Sequence, residues 1–238
     1  LKFTADIHEV TYTRVAGNGF EENDEVGVFA LVGSSTMKEE RYADNLRFFR
    51  TSEKVFESSE PIYYPDDEVT LRLISYYPYQ EEGVNMGEST MSVAGETDQN
   101  LSAGYFCSDF LVASQNLQSA PKGAIALHYD HKFFKLKIAL VGKEGEELQG
   151  ILDADPKLSV CGFYTKAIYD FQKETYSAFS NEKSITPAGK WEIQGDRLSG
   201  KEVILIPQET TLGYQYIVLD VGGKIYQPIA LFIAVAEW

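Results

Sequence analysis

Alternation of apolar and polar side chains runs through most of this chain, and a period of two commits a backbone to extended strands. Val69, Leu71, Leu73, Ser75 and Tyr77 share one face of a strand, with Thr70, Arg72, Ile74 and Tyr76 on the other. Residues 26–32 form a short apolar strand ended by Gly33-Ser34-Ser35. Pro61 and Pro65 bracket Ile62-Tyr63-Tyr64, and Tyr76-Tyr77-Pro78-Tyr79 closes the next strand before a polar loop. Strand and turn signals at this short spacing are the expectation for an all-β sandwich. Aromatic usage agrees, with Tyr 15 and Phe 14 against Met 3, because rings suit half-buried pleated surfaces.

Residues 125–140 carry the most local information. Ile125, Leu127, Tyr129, His131 and Phe133 occupy one parity, whereas Phe134, Leu136, Ile138 and Leu140 occupy the other. One parity switch in an apolar strand predicts an inserted residue, a β-bulge or bend near Lys132-Phe133-Phe134. His131 then faces the core and His128 faces away, so their spacing does not converge on a metal as it would on a helix. Residues 142–156, rich in glycine and charge and ended by proline, are the candidate linker or boundary. The expected domains are 1–145 and 146–238. Beyond the boundary, residues 158–164 read as one strand and residues 171–187 as a long hairpin or loop. Residues 203–206 form an apolar strand stopped by Pro207, and residues 214–221 turn through Gly222-Gly223 into Lys224-Ile225-Tyr226. Residues 230–238 form a last apolar segment, which as an edge strand needs covering by its neighbours or by another chain.

Composition excludes several classes of function. At 238 residues the chain can bury a substantial core, and 44% hydrophobic with 24% charged residues is globular rather than disordered. A net charge of −15 argues against nucleic acid as a partner, since that affinity comes mainly from Lys and Arg on phosphates. The start, Leu1-Lys2-Phe3-Thr4, lacks a charged segment leading into an apolar one, so a leader is expected to be absent or already removed. Two cysteines, Cys107 and Cys161, allow one incidental bridge or two buried thiols but no disulfide framework.

Catalytic patterns are missing from the sequence. It has no G-x-S-x-G, H-E-x-x-H, phosphate-cradling glycine loop or C-x-x-C. Asp66-Asp67-Glu68 and Glu144, Glu146 and Glu147 read as solvated turns rather than calcium loops or a glycosidase pair. The expectation is therefore no catalytic residue, no metal site and no cofactor. Tyr63, Tyr64, Tyr77 and Tyr79 are the candidate ring platform for stacking a sugar, although strand parity turns half of such rings inward.

The order of motifs carries further than any one of them. Thr13-Arg14 is followed by Phe20, then by Asn23-Asp24-Glu25-Val26-Gly27-Val28-Phe29. Ile62-Tyr63-Tyr64-Pro65, Ile74-Ser75-Tyr76-Tyr77-Pro78-Tyr79 and Thr97-Asp98-Gln99 come next. Ser108-Asp109-Phe110-Leu111-Val112-Ala113 and His131-Lys132-Phe133-Phe134-Lys135-Leu136 complete the series. This series resembles the fimbrillin-like (Mfa-like) surface proteins of the Bacteroidales. Residues 203–208 and the Gly222-Gly223 hairpin are similar to the second half of that family. Asn23 stands where relatives carry glycine, Phe20 where they carry tryptophan, and the chain stops at Trp238 where they continue with a further strand.

The resemblance implies two tandem β-sandwich domains of transthyretin-like topology, the second expected to lack a terminal strand. It implies a lipoprotein displayed at the outer membrane, whose partners are other fimbrial subunits and a host or bacterial surface protein or glycan. In polymerising relatives a protease removes an N-terminal strand and a strand of another subunit fills the groove. Arg14 is the matching candidate for such processing. The other reading, a surface carbohydrate-binding module, uses the four tyrosines.

Overall fold

The computed structural model describes residues 2–7, 19–53, 55–65, 69–143 and 145–226. In chain order the strands begin β1 (Phe3–Ile7), β2 (Glu25–Val32), β3 (Ala43–Arg50), β4 (Phe56–Glu57), β5 (Leu71–Tyr77) and β6 (Thr90–Ala94). A one-and-a-half-turn helix, α1 (Ser102–Cys107), precedes β7 (Leu111–Leu117), β8 (Ile125–His131) and β9 (Phe134–Leu140). After α2 (Leu148–Asp153) come β10 (Lys157–Asp170), β11 (Thr175–Ile185), β12 (Glu192–Gln194), β13 (Arg197–Leu205), β14 (Ile217–Val221) and β15 (Lys224–Tyr226). The all-β expectation holds. No described helix is long and apolar enough to cross a membrane.

The chain divides into two compact units. The first comprises Leu1–Met91, Phe110–Lys132 and Tyr169–Thr175; the second comprises Ser92–Asp109, Phe133–Ile168 and Tyr176–Trp238.

In the first unit seven strands form one closed sheet in the order β1-β4-β3-β2-β5-β7-β8. This differs from an open sandwich of two separate sheets, because β1 lies parallel to β8 and antiparallel to β4 and so joins the ends. Inward residues at every second position fill it: Val26, Val28 and Ala30 from β2, Leu71 and Leu73 from β5, Leu127 and Tyr129 from β8. The outer face of β2 and β5 is covered too. Phe29 stacks on Tyr76 with centroids 5.8 Å apart, and Phe171 meets both rings edge-on. Residues 26–31 are therefore apolar on both faces, and Gly27 sits opposite Tyr76 because a Cβ there would be driven into the tyrosine ring.

Two sheets make the second unit: β11-β10-β14-β15, with β6 also on β10, and β12-β13-β9. Phe134, Val203 and Leu205 from one sheet share a core with Val160, Phe163 and Ile185 from the other. Trp191, Leu158 and Leu198 form a second cluster, and the Trp191 indole N–H donates to the Pro156 carbonyl at 2.8 Å. Residues 142–156 contain α2, whose Leu148, Ile151 and Leu152 pack on that cluster. The polar residues 171–187 become the turn and the largely exposed second arm of the β10–β11 hairpin. The Gly222-Gly223 turn forms as expected, with Val221 paired to Lys224 and the Asp220 carboxylate accepting the Gly223 N–H at 2.8 Å.

The parity switch at residues 132–134 is present, but its cause is not an inserted residue. β8 ends at His131 in the first unit, and β9 starts at Phe134 in the second, where it pairs with β13 from Leu205 onward. The two apolar sets serve two different cores, so their parities need not match. His131, at the last position of β8, is half-buried rather than a core residue, and His128 is exposed.

Candidate functional site

The residue pattern Phe3-Thr4-Ala5 puts an apolar side chain at every second position of β1, and the structure uses it to complete the first sheet. Backbone pairing runs Phe3 to Ile125, Thr4 to Ala126 and Ala5 to Leu127, while the antiparallel contact to β4 is the single pair Phe3–Phe56. The Ile125 N–H also donates to the Lys2 carbonyl at 2.9 Å. Phe3 is 1% exposed, with ring centroids 4.6 Å from Phe48 and 5.5 Å from Phe56. Phe20 closes the same end of the core, edge-on to Phe56, Tyr77 and Tyr129 at 5.0–5.4 Å. Below it the Tyr129 hydroxyl meets the Ser75 hydroxyl at 2.6 Å, and Ser75 donates to the Gly27 carbonyl at 3.0 Å. Burial pushes the Tyr129 phenol well above its ordinary titration range. The slot that β1 fills is thus an apolar trough with a backbone edge on each side.

Strand edges of the second unit are left unpaired among the described residues at β9 and β15, which end their sheets. A groove of about 1080 Å³ lies beside them, lined by Leu140, Val141, Leu219, Val221, Ile225 and Tyr226.

The tyrosines singled out by sequence do not share one surface environment. Tyr63 is 72% exposed, whereas Tyr77 is buried at 8% in the first unit's core. Tyr64 is half-buried and donates to the Val69 carbonyl at 2.6 Å; Tyr79 is half-buried beneath the Arg47 guanidinium, 5.8 Å from its centroid. Cys107 is exposed and Cys161 half-exposed, and they stand as separate thiols rather than two buried ones. Cys107 ends the short α1, so apolar neighbours in sequence do not bury it. Among the described residues no three His, Cys, Asp or Glu side chains gather to hold a metal ion. Arg14, the acidic run 66–68 and the apolar segment 230–238 lie outside the described residues.

Compared with known proteins, the sequence matches the family described as fimbrillin-like over residues 13–230. The chain belongs to this family. No curated protein matches it. Among solved structures it is similar to a candidate cell adhesion protein of Bacteroides ovatus, with TM-score 0.67 and 15% identity over 94% of this chain and 84% of that one. A candidate cell adhesion protein of Bacteroides uniformis gives 0.64 and 19% over 92% and 82%. Another from Bacteroides thetaiotaomicron gives 0.51 and 11% over 99% and 87%. At these identities the likeness is one of fold.

Several motifs of this fimbrillin-like chain now have structural work assigned to them. The Gln99 side chain pairs with the backbone of Ile204, and the Ser108 hydroxyl donates to the Gly104 carbonyl at 2.8 Å while accepting the Glu96 N–H at 2.8 Å. The Tyr105 hydroxyl donates to the buried Glu202 carboxylate. Sequence reasoning missed β1 itself, whose alternation of Phe3, Ala5 and Ile7 against Thr4 and Asp6 was the available signal.

Proposed function

We propose that the chain is a non-enzymatic cell-surface subunit, part of a fimbria or an adhesin, which joins other subunits by exchange of strand β1. The observation that carries this reading is the place of β1. Among the described residues it is the strand that joins β8 to β4, and its register leaves Phe3 in a trough that another strand with a ring at the same position can refill. Arg14 follows β1 in sequence, where cutting separates the strand from the rest of the chain. Family membership supports the same reading, as do the edges of β9 and β15, unpaired among the described residues, for further strand contacts. Export as an outer-membrane lipoprotein and a transthyretin-like topology belong with it. The two facing sheets of the second unit support that topology there, while the closed first sheet is a variation on it.

Limited digestion of the folded protein with an arginine-specific protease tests it. Cutting after Arg14 is expected to release residues 1–14 and leave a folded body that captures a labelled peptide of that sequence, or a second subunit, detected by native mass spectrometry. Arg14→Ala is expected to block both cut and capture. A cut body that stays folded yet captures neither peptide nor subunit overturns the proposal.

A further inference from the structure

On the outer face of the first unit, away from the β1 slot, β5 and β7 form the floor of a polar groove of about 610 Å³, within the ~300–1,000 Å³ range of small-ligand sites. The register of the two strands sets Arg72 opposite Asn116 and Ile74 opposite Ser114, so these four side chains share one face. One wall is the turn from Gly33 to Thr36 after β2, and the other is the turn that carries Phe171, Gln172 and Glu174. Phe171 is locked edge-on against Phe29, Tyr76, Phe110 and Tyr169, which makes it a rigid half-buried ring at the groove.

Charge in the groove is uneven. Glu174 is engaged by the Lys132 ammonium at 2.8 Å, which leaves Arg72 as the lining cation with no acid or hydrogen-bond partner among the described residues. In a chain of net charge −15, a guanidinium with no carboxylate beside it among the described residues is out of keeping with the overall charge. Beside it, the Ser114 hydroxyl and the Asn116 and Gln172 carboxamides are likewise uncommitted among the described residues. A guanidinium fork takes a carboxylate in two parallel bonds, hydroxyls and carboxamides suit sugar hydroxyls, and a fixed ring suits a sugar's C–H face.

We propose that this groove binds an acidic oligosaccharide, with the sugar carboxylate on Arg72, the ring hydroxyls on Ser114 and Asn116, and an apolar sugar face against Phe171. A peptide fits the site less well. The groove lies on the face of a closed sheet with no strand edge to pair with a peptide backbone, and its lining is polar rather than pocketed for apolar side chains.

The inference stands apart from strand exchange and is tested on the uncut chain. The protein is screened on an array of uronic- and sialic-acid oligosaccharides, and the retained compound is titrated by calorimetry beside its carboxyl-reduced, neutral counterpart. Binding is expected to fall about tenfold or more on reduction of the carboxyl and again in Arg72→Gln, with partial recovery in Arg72→Lys. Asn116→Trp, at an exposed position, is expected to fill the groove and abolish binding while circular dichroism and melting stay native. Retention of no acidic glycan overturns the proposal, as does equal affinity for acid and neutral forms, or full binding by Arg72→Gln. Displacement of the saccharide by an acidic peptide of equal affinity assigns the groove to a protein partner and overturns it as well.

Discussion

The carboxamide of Gln99 and the backbone of Ile204 bond each other in both directions, Nε2 donating to the Ile204 carbonyl at 2.8 Å and the Ile204 N–H donating to Oε1 at 2.8 Å. Gln99 is fully buried, so its side chain acts as one extra rung of strand pairing for β13. Gln99→Leu fills similar space but leaves a buried donor and a buried acceptor unmet, at ~1–3 kcal/mol each. A loss of about 2–4 kcal/mol is expected in urea unfolding, with the midpoint lowered and the slope unchanged. A variant within ~0.5 kcal/mol of wild type means that water replaces the amide.

Arg41 is a second buried anchor, in the first unit, and its side chain has no solvent exposure. Its guanidinium donates to the carbonyls of Met37, Val84, Asn85 and Glu88 at 2.7–3.0 Å and to the Asp44 carboxylate, and it lies 5.3 Å from the Phe29 centroid. One planar fork thereby ties three carbonyls of the loop 84–88 to that of Met37. Arg41→Lys supplies a single ammonium that cannot reach all four carbonyls, so charge is kept and geometry is lost. The expected cost is about 3 kcal/mol, close to that of Arg41→Met, read from thermal melts of both. Full rescue by lysine would show that charge alone matters there.

What could be read from the sequence follows from the range of the interaction involved. Alternation marks β5, β8 and β14, and Gly222-Gly223 marks the last hairpin, because those signals are local. Pairings between distant segments have no such signal. The parallel match of β1 to β8 that closes the first sheet spans more than a hundred positions, and the departure of β9 to a different unit looks locally like a bulge. Arg41 follows Lys38-Glu39-Glu40, a run whose composition suggests solvent, yet it is buried by carbonyls that arrive from loop 84–88. At the strand slot, the alternation of β1 was legible and its destination was not. For the polar groove, Ser114 and Asn116 alternate visibly, but their position opposite Arg72 depends on β5 and β7 being neighbours.

Alkaline stability is expected to depend on Tyr129. Burial raises its phenol above the ordinary value of 10.0, with the Ser75 hydrogen bond opposing the shift, so the folded state favours the neutral ring. A group raised on folding stabilises fully below its unfolded value and loses that contribution as pH climbs above it. Thermal midpoints are therefore expected to be level to about pH 9 and to fall beyond ~pH 10, where the unfolded phenol ionises. Tyr129→Phe removes this ionisation, and the decline should be shallower. Tyr76 and Tyr169 are raised in the same direction by burial and should keep part of the slope in that variant.

Strand exchange makes its own demand on Phe3. Its ring is the main apolar anchor of β1 on the described residues, stacked on Phe56 and tilted against Phe48, while the antiparallel ladder to β4 contributes one residue pair. Removing a buried phenylalanine ring costs about 3–5 kcal/mol when the site cannot collapse. If β1 leaves as a unit, that loss falls on β1 release rather than on the whole fold. Phe3→Ala is then expected to raise hydrogen exchange selectively at Ile125, whose N–H donates to Lys2, while the N–H of Tyr42, which donates to Ala30, stays protected. The same variant should also be cut faster at Arg14 and should exchange its own strand for an added wild-type peptide of residues 1–14. Uniform loss of protection across the first unit would mean that β1 is welded into a single cooperative core, and exchange at this slot would then require global unfolding.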